Sequence, residues 1–221
     1  RDIFILSKGH AVLGYLAVLH AYGYFDRDKL ATFQRNGSDL IAHPVKKLAL
    51  GIESSNGSLG QGLSYGLGMA IGMGKRGMEQ RRVFVMMGDG ECNEGSVWES
   101  AALAAELKVT NIVAIVDENR LRNDGVNTLY HSPASPVLTD VWRAFGWHVI
   151  EIDGHDVAKI FAAYQEALSN REKPSVIVAK TIKGKGIDFM EDNNDWHHNR
   201  ITQKVLETCL EQLDRGDPKN V

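Results

Sequence analysis

Cysteine is nearly absent: Cys92 and Cys209 are the only two in 221 residues. Two such thiols cannot build a cysteine-ligated metal cluster, and they favour a reducing compartment over an oxidising one. A cytoplasmic protein is expected. Long apolar runs are missing as well; none approaches the ~20 residues that cross a hydrocarbon core, so no membrane partner is expected. Nor is there an excess of charge. The 25 Lys and Arg against 28 Asp and Glu leave a net charge of −3, which offers no electrostatic footprint for nucleic acid or an anionic membrane. No strand-like run leads into Gly-x-Gly-x-x-Gly at a helix start, which argues against a dinucleotide site. Repeats and low-complexity tracts are absent too. The chain opens on Arg1 in "RDIFILSKGH", as though entered in the middle of a fold, and its first residues are expected to be missing.

Glycine is what the chain has in excess: 22 residues, about a tenth against the usual ~7%. The densest stretch, "SSNGSLGQGLSYGLGMAIGMG", is apolar rather than linker-like, so its glycines are expected to allow positive φ and close approach of backbone to a neighbour or ligand. Strand-like runs cover 81–88, 111–117, 147–153 and 174–181. All are short, rich in Val and Ile and apolar on both faces, as strands of a buried parallel sheet are. Helical spacing fills the gaps, over 97–108 (with Trp98, Ala101, Ala102 and Ala105 on one stripe), 137–146 and 156–170. Upstream, 9–23 and 62–77 read as buried helices, and 213–221 as a polar tail that frays or leads away. Alternating strands and helices give a three-layer α/β fold with a mainly parallel sheet flanked by helices. In such sheets ligands lie beyond the carboxyl ends of the strands, where Asp89, Asn119, Asp153 and Lys180 fall.

Asp89 sits in a Gly-Asp-Gly turn after one apolar run, and Asn119 closes the next. Two adjacent parallel strands would bring the carboxylate and the amide oxygen together. Hard cations prefer such oxygens, and Mg²⁺ in particular combines few protein groups with phosphate oxygens. Gly90 would turn its N–H toward an anion, and a following helix N-terminus would favour that anion further. Each residue alone has a plainer reading, Asp89 as a turn former and Asn119 as a strand-end residue. The pair together fits a magnesium-bridged diphosphate.

Gly-Asp-Gly followed by an Asn at the next strand end resembles the thiamine diphosphate fingerprint. The wider chain resembles the N-terminal, diphosphate-binding part of transketolases. The likeness runs through "RDIFILSKGH", "AHP", "GSLGQG", "MGDGECNEGSVWESAALA", "DENRLRNDG", "FGWHVIEIDGHD", "KTIKGKG" and "WHH", from Arg1 to about Ile201. "LSKGH" and "DGHD" point to transketolase rather than to other thiamine enzymes.

The resemblance implies that Asp89, Asn119 and the carbonyl of Leu121 ligate Mg²⁺, or a substitute such as Ca²⁺ or Mn²⁺, and that the Gly90 N–H meets the diphosphate. It implies cofactor contacts from His10, from Gly57, Ser58 and Leu59 in "GSLGQG", and from Ile182 beside the thiazolium. His43 and His197 (rather than His198) would line the channel to the reactive carbon. Imidazoles suit that place because they donate to substrate oxygens or pass protons near neutral pH. Glu94 would reach across a subunit interface toward the network that protonates the aminopyrimidine, or simply favour a helix dipole. For His10 the plainer reading is a cap on a buried helix. For Lys183 and Lys185 solvated surface positions are expected, with phosphate contact as the alternative.

The implied activity is thiamine diphosphate- and Mg²⁺-dependent transfer of a two-carbon ketol unit from a ketose phosphate to an aldose phosphate, by default in pentose-phosphate exchange. Residues 1–221 would be a single diphosphate domain. The chain departs from full-length transketolases in having no pyrimidine-binding or C-terminal domain. The resemblance therefore implies the N-terminal subunit of a split transketolase, completed by a C-terminal subunit that carries the pyrimidine-binding domain, in a dimer of heterodimers. Alternatives are a deoxyxylulose-phosphate synthase, an α subunit of a 2-oxo acid dehydrogenase, and a non-catalytic cofactor-binding or scaffold subunit.

Overall fold

A computed structural model describes residues 1–216, and among these the strands in chain order are β1 (Ile3–Leu6), β2 (Val83–Gly88), β3 (Ile112–Glu118), β4 (Leu121–Arg122), β5 (Gly125–Val126), β6 (His148–Asp153) and β7 (Ser175–Lys180). Five of them make one sheet in the order β1-β2-β3-β7-β6, every pair parallel. The hairpin β4–β5 stands apart from it. The helices are α1 (Val12–Ala21), α2 (Arg27–Leu30), α3 (Gln61–Gly74), α4 (Gly95–Glu106), α5 (Thr128–His131), α6 (Leu138–Ala144), α7 (Val157–Ser169) and α8 (Gln203–Gly216).

Residues alternate across the sheet with the strand period of two. Val83, Val85 and Met87 of β2 join Ile112, Ala114 and Val116 of β3 in a core with Leu63, Leu67 and Ala70 of α3, Ala101 and Ala104 of α4, and Trp142 of α6. The opposite face buries Val113, Ile115, Ile150 and Ile177 against Ala163 and Ala167 of α7. Helix α3 lies unusually near β2, because a Cβ on Gly66 would overlap the Val85 side chain. That close approach is what the glycine-dense sequence provides.

The structure departs from the sequence pattern in several places. β1 falls outside the expected strands, although "IFIL" carries the signal; it pairs Ile3 through Leu6 with Val83 through Met86. Helix α1 is not buried all round: Val12, Leu16 and Leu19 face inward, while Leu13 and Val18 are half exposed. Ala102 lies on the exposed side of α4, whose buried stripe is Val97, Ser100, Ala101 and Ala104. Residues 213–216 belong to α8 rather than to a tail; the rest of the expected tail, 217–221, lies outside the described residues.

The register aligns the strand ends that matter. Gly88 pairs with Asp117, Glu118 with Lys180, and Asp153 with Lys180. β2 and β3 are therefore neighbours whose next residues, Asp89 and Asn119, leave the sheet at the same edge.

Candidate functional site

The β2 tip delivers Asp89, which is fully buried. Its Oδ2 accepts from Asn127 Nδ2 at 3.2 Å and from His131 Nε2 at 3.1 Å. Its Oδ1 is buried with no hydrogen-bond partner. Burial raises the Asp89 pKa above the ordinary carboxylate range, against the lowering effect of Asn127 and His131. An orphaned carboxylate oxygen in such a place is costly unless something positive meets it. The β3 tip delivers Asn119, whose Oδ1 accepts the Leu121 N–H at 3.0 Å. Arg120 between them takes a left-handed φ of 65°, and the turn swings the chain over the Gly-Asp-Gly segment. Gly90 itself has an ordinary helical φ of −63°, so backbone freedom is not what it supplies. It supplies room: a Cβ there would lie 3.0 Å from Arg122 Cβ and 4.0 Å from the Leu121 carbonyl oxygen. One bare carboxylate oxygen, one amide oxygen and one carbonyl oxygen suit a small hard cation, so the residues present fit the group the sequence implies. Among the described residues, no group of three or more His, Cys, Asp or Glu side chains is arranged to hold a metal. An oxygen set with a single carboxylate lies outside that pattern.

Beside these tips opens a cavity of about 740 Å³, whose wall includes Asp89, Gly90, Asn119, Leu121, Leu59 and Ile182. Its cationic side is built from three segments. Lys8, just past β1, bonds Asp117 at the end of β3, and Thr181 Oγ1 bonds the same carboxylate. Burial works against the charged Asp117, but Lys8 and Thr181 outweigh it and hold its pKa low. Lys183 Nζ lies 2.6 Å from His197 Nδ1, and His197 Nε2 lies 3.2 Å from His10 Nδ1. An ammonium only donates, so neutral His197 carries its proton on Nε2 and passes a hydrogen bond to His10 Nδ1. His10 then keeps its proton on Nε2, free to donate elsewhere. Burial, with Lys183 and His10 nearby, lowers the His197 pKa to about 4. Burial and His43 lower that of His10.

Lys183 corrects the surface reading made from sequence. It is half-buried in the cavity wall, and burial, with Lys8 nearby, lowers its pKa. Lys185 is exposed, paired with Glu191 at 3.4 Å. His197 lines the cavity, whereas His198 is exposed and does not. His43 stands behind His10 with ring centroids 5.5 Å apart, and Gly57 abuts it, since a Cβ there would be 3.5 Å from His43 Cδ2. Neither His43, Gly57 nor Ser58 is part of the cavity wall; Ser58 is exposed. Glu94 lines the cavity mouth, exposed, and precedes α4 without a side-chain capping bond.

Three residues that organise the site carry no mark in the sequence reading. Glu91 is buried, and its Oε1 accepts from Ser7 Oγ and from the Gly60 N–H at 2.9 Å, while Oε2 accepts the Gly88 N–H at 3.3 Å. One carboxylate thus ties the β1 end, the "GSLGQG" loop and the β2 tip together. Asn127 and His131 have no local signal; their role exists only through contact with Asp89.

The His197 shift has a pH consequence. Unfolded, the imidazole protonates near 6.5; folded, it does so only near pH 4. Acid therefore favours the unfolded chain, and the stability linked to His197 is full above pH 6.5 and lost as pH falls toward 4. The melting temperature of the unliganded chain is expected to fall more steeply across this window than that of His197→Gln. Parallel curves in a melting series would contradict the shift.

Comparison with known proteins agrees with this geometry. Residues 1–214 match the family model described as transketolase, thiamine diphosphate binding domain. One of the paired subunits of an apulose-4-phosphate transketolase from Actinobacillus succinogenes is 40% identical over 215 residues, covering 96% of this chain and 76% of that protein. A 6-deoxy-6-sulfo-D-fructose transketolase subunit from a Clostridium species is 37% identical, covering 97% and 77%. Among solved structures, transketolase from Campylobacter jejuni superposes with a TM-score of 0.86 at 29% identity, over 100% of this chain and 35% of that one. The chain thus spans about three quarters of the subunit relatives and about a third of the longer enzyme.

Proposed function

Since the chain belongs to the transketolase family as its N-terminal, thiamine diphosphate-binding part, we propose that it binds the cofactor's diphosphate through a divalent cation and, with a partner subunit, transfers a two-carbon ketol unit from a ketose phosphate to an aldose phosphate. The observation that carries the cation is the bare, buried Asp89 Oδ1, in one cavity wall with Asn119 and Leu121. Asp89, the Asn119 amide oxygen and the Leu121 carbonyl would be the protein ligands of Mg²⁺, or of Ca²⁺ or Mn²⁺ in its place. The diphosphate meets the Gly90 N–H on one side and the cations of Lys183 and Lys8 on the other, with the free Nε2–H of His10 as a further donor.

Thiamine diphosphate, when bound, supplies a nucleophilic carbon and an electron sink for carbon–carbon cleavage. This chain positions and shields. Leu59 and Ile182 supply apolar wall and exclude water from the reacting centre. His197, neutral at physiological pH, and His43 are placed to donate to sugar oxygens or to move protons there. Glu94, exposed at the mouth, would act toward a partner, and the exposed apolar residues Tyr65 on α3 and Leu103 and Leu107 on and just after α4 support a covered surface. The partner would carry the pyrimidine-binding domain, the two chains forming a dimer of heterodimers.

Reconstitution tests this reading. The chain mixed with a pyrimidine-domain partner, Mg²⁺ and thiamine diphosphate is expected to consume a ketose phosphate only when an aldose acceptor is present, and to be inactive alone. Cofactor binding by the mixture without turnover on any donor–acceptor pair would favour a non-catalytic cofactor-binding subunit.

A further inference from the structure

Asp89 is held asymmetrically. Both side-chain hydrogen bonds it receives, from Asn127 and His131, arrive on Oδ2, while Oδ1 has none. A carboxylate gripped at one oxygen by two donors from different positions cannot rotate about its Cβ–Cγ bond without breaking both. Asn127 is itself fixed: it is fully buried, and its Oδ1 accepts from Asn93 Nδ2 at 3.1 Å. Its backbone N–H closes onto the Arg120 carbonyl at 2.8 Å. The chain from Asn119 to Asn127 is thereby a closed loop, starting at one expected cation ligand, carrying the second at Leu121 and ending on the residue that grips the third. His131, at the end of α5, adds the second grip and has a further carboxylate, Glu118 Oε1, 4.0 Å away.

We infer that Asn127 and His131 are positioning residues for the cation: together they lock the Asp89 carboxylate so that Oδ1 faces the cavity. The inference rests on the cation reading above and goes beyond it by assigning two side chains that touch neither ligand nor cofactor. Hydrogen bonds to the far oxygen also keep the carboxylate's charge available while restricting it to one-oxygen ligation. Outer partners of this kind commonly govern affinity for a metal by 10–100-fold. A purely structural role would instead stabilise the chain equally with and without metal.

The test is Mn²⁺ binding, read by the fall in the free-ion electron paramagnetic resonance signal, for the wild-type chain with thiamine diphosphate and its partner subunit. His131→Phe keeps a ring but loses the donor; His131→Gln restores an amide donor near the position of Nε2. The dissociation constant for Mn²⁺ is expected to rise about tenfold or more in His131→Phe and to return to within about threefold of wild type in His131→Gln, with the metal-free melting temperatures of all three alike. Because His131 is partly exposed and ends a short helix, these variants are suited to fold; Asn127→Ser is a second probe with the same expectation as His131→Phe. Wild-type affinity retained in both His131→Phe and Asn127→Ser would overturn the inference. Affinity and metal-free stability lost in proportion in every variant, with no recovery in His131→Gln, would overturn it as well. If wild type itself takes up no Mn²⁺, the cation reading fails first, which is a separate outcome.

Discussion

Asp89→Ala is expected to abolish the rise in melting temperature that Mg²⁺ and thiamine diphosphate together give the wild-type chain with its partner. A ligand that binds only the folded state, at a hundred times its dissociation constant, stabilises by about 2.7 kcal/mol. For a domain of this size that is a shift of about 5–10 °C. In Asp89→Ala the shift should fall to nearly zero, because the one carboxylate of the expected ligand set is gone and Asn119 is already engaged with the Leu121 N–H. The unliganded variant should melt near wild type. The lost bonds to Asn127 and His131 are offset by relief of a buried charge whose pKa burial has raised. A chelator should return wild type to its unliganded midpoint and leave the variant unmoved. An undiminished shift in the variant, measured by scanning fluorimetry, would remove Asp89 from the site.

Glu91→Ala is expected to cost the most stability of any single change at the site. It strips the acceptor from the Ser7 hydroxyl and from the Gly60 and Gly88 N–H groups. Each buried donor left unpaired costs about 1–3 kcal/mol, so a loss of about 3 kcal/mol or more and a melting temperature lower by about 6–12 °C are expected. Cofactor affinity should fall too, since the glycine loop would no longer be tied to the β2 tip. Glu91→Gln separates packing from charge. Its amide oxygen still accepts from Ser7 and Gly60, and it avoids the penalty by which burial raises the Glu91 pKa. It should therefore melt close to wild type. A Glu91→Ala variant as stable as Glu91→Gln would show that the carboxylate does not pin these segments.

The architecture is legible in the sequence where period and composition agree. The four runs ending at Gly88, Glu118, Asp153 and Lys180 are apolar on both faces because helices cover both sides of the sheet, and that pattern is visible in the chain. β1 is harder to see because it is four residues long and runs straight into the "SKGH" turn. Asp89 and Asn119 stand out because each follows a strand directly, and adjacency of β2 and β3 then sets their tips side by side. Their supports do not stand out. Lys183 looks like any surface lysine until the chain after β7 folds it against His197. Glu91, Asn127 and His131 act only through partners distant in sequence, which no local spacing records. Gly90 suggests backbone freedom in the sequence, and the structure uses it for its missing Cβ instead.

The most direct measurement is crystallographic: Mn²⁺ and thiamine diphosphate bound to the chain with its partner subunit, with the metal located by its anomalous scattering. A single peak within about 2.0–2.3 Å of Asp89 Oδ1, the Asn119 amide oxygen and the Leu121 carbonyl, with diphosphate oxygens completing the shell, is the predicted result, as expected for oxygen ligands of a small divalent ion. A peak elsewhere in the cavity, or a diphosphate held by Lys183 and His10 with no metal between it and Asp89, would contradict it.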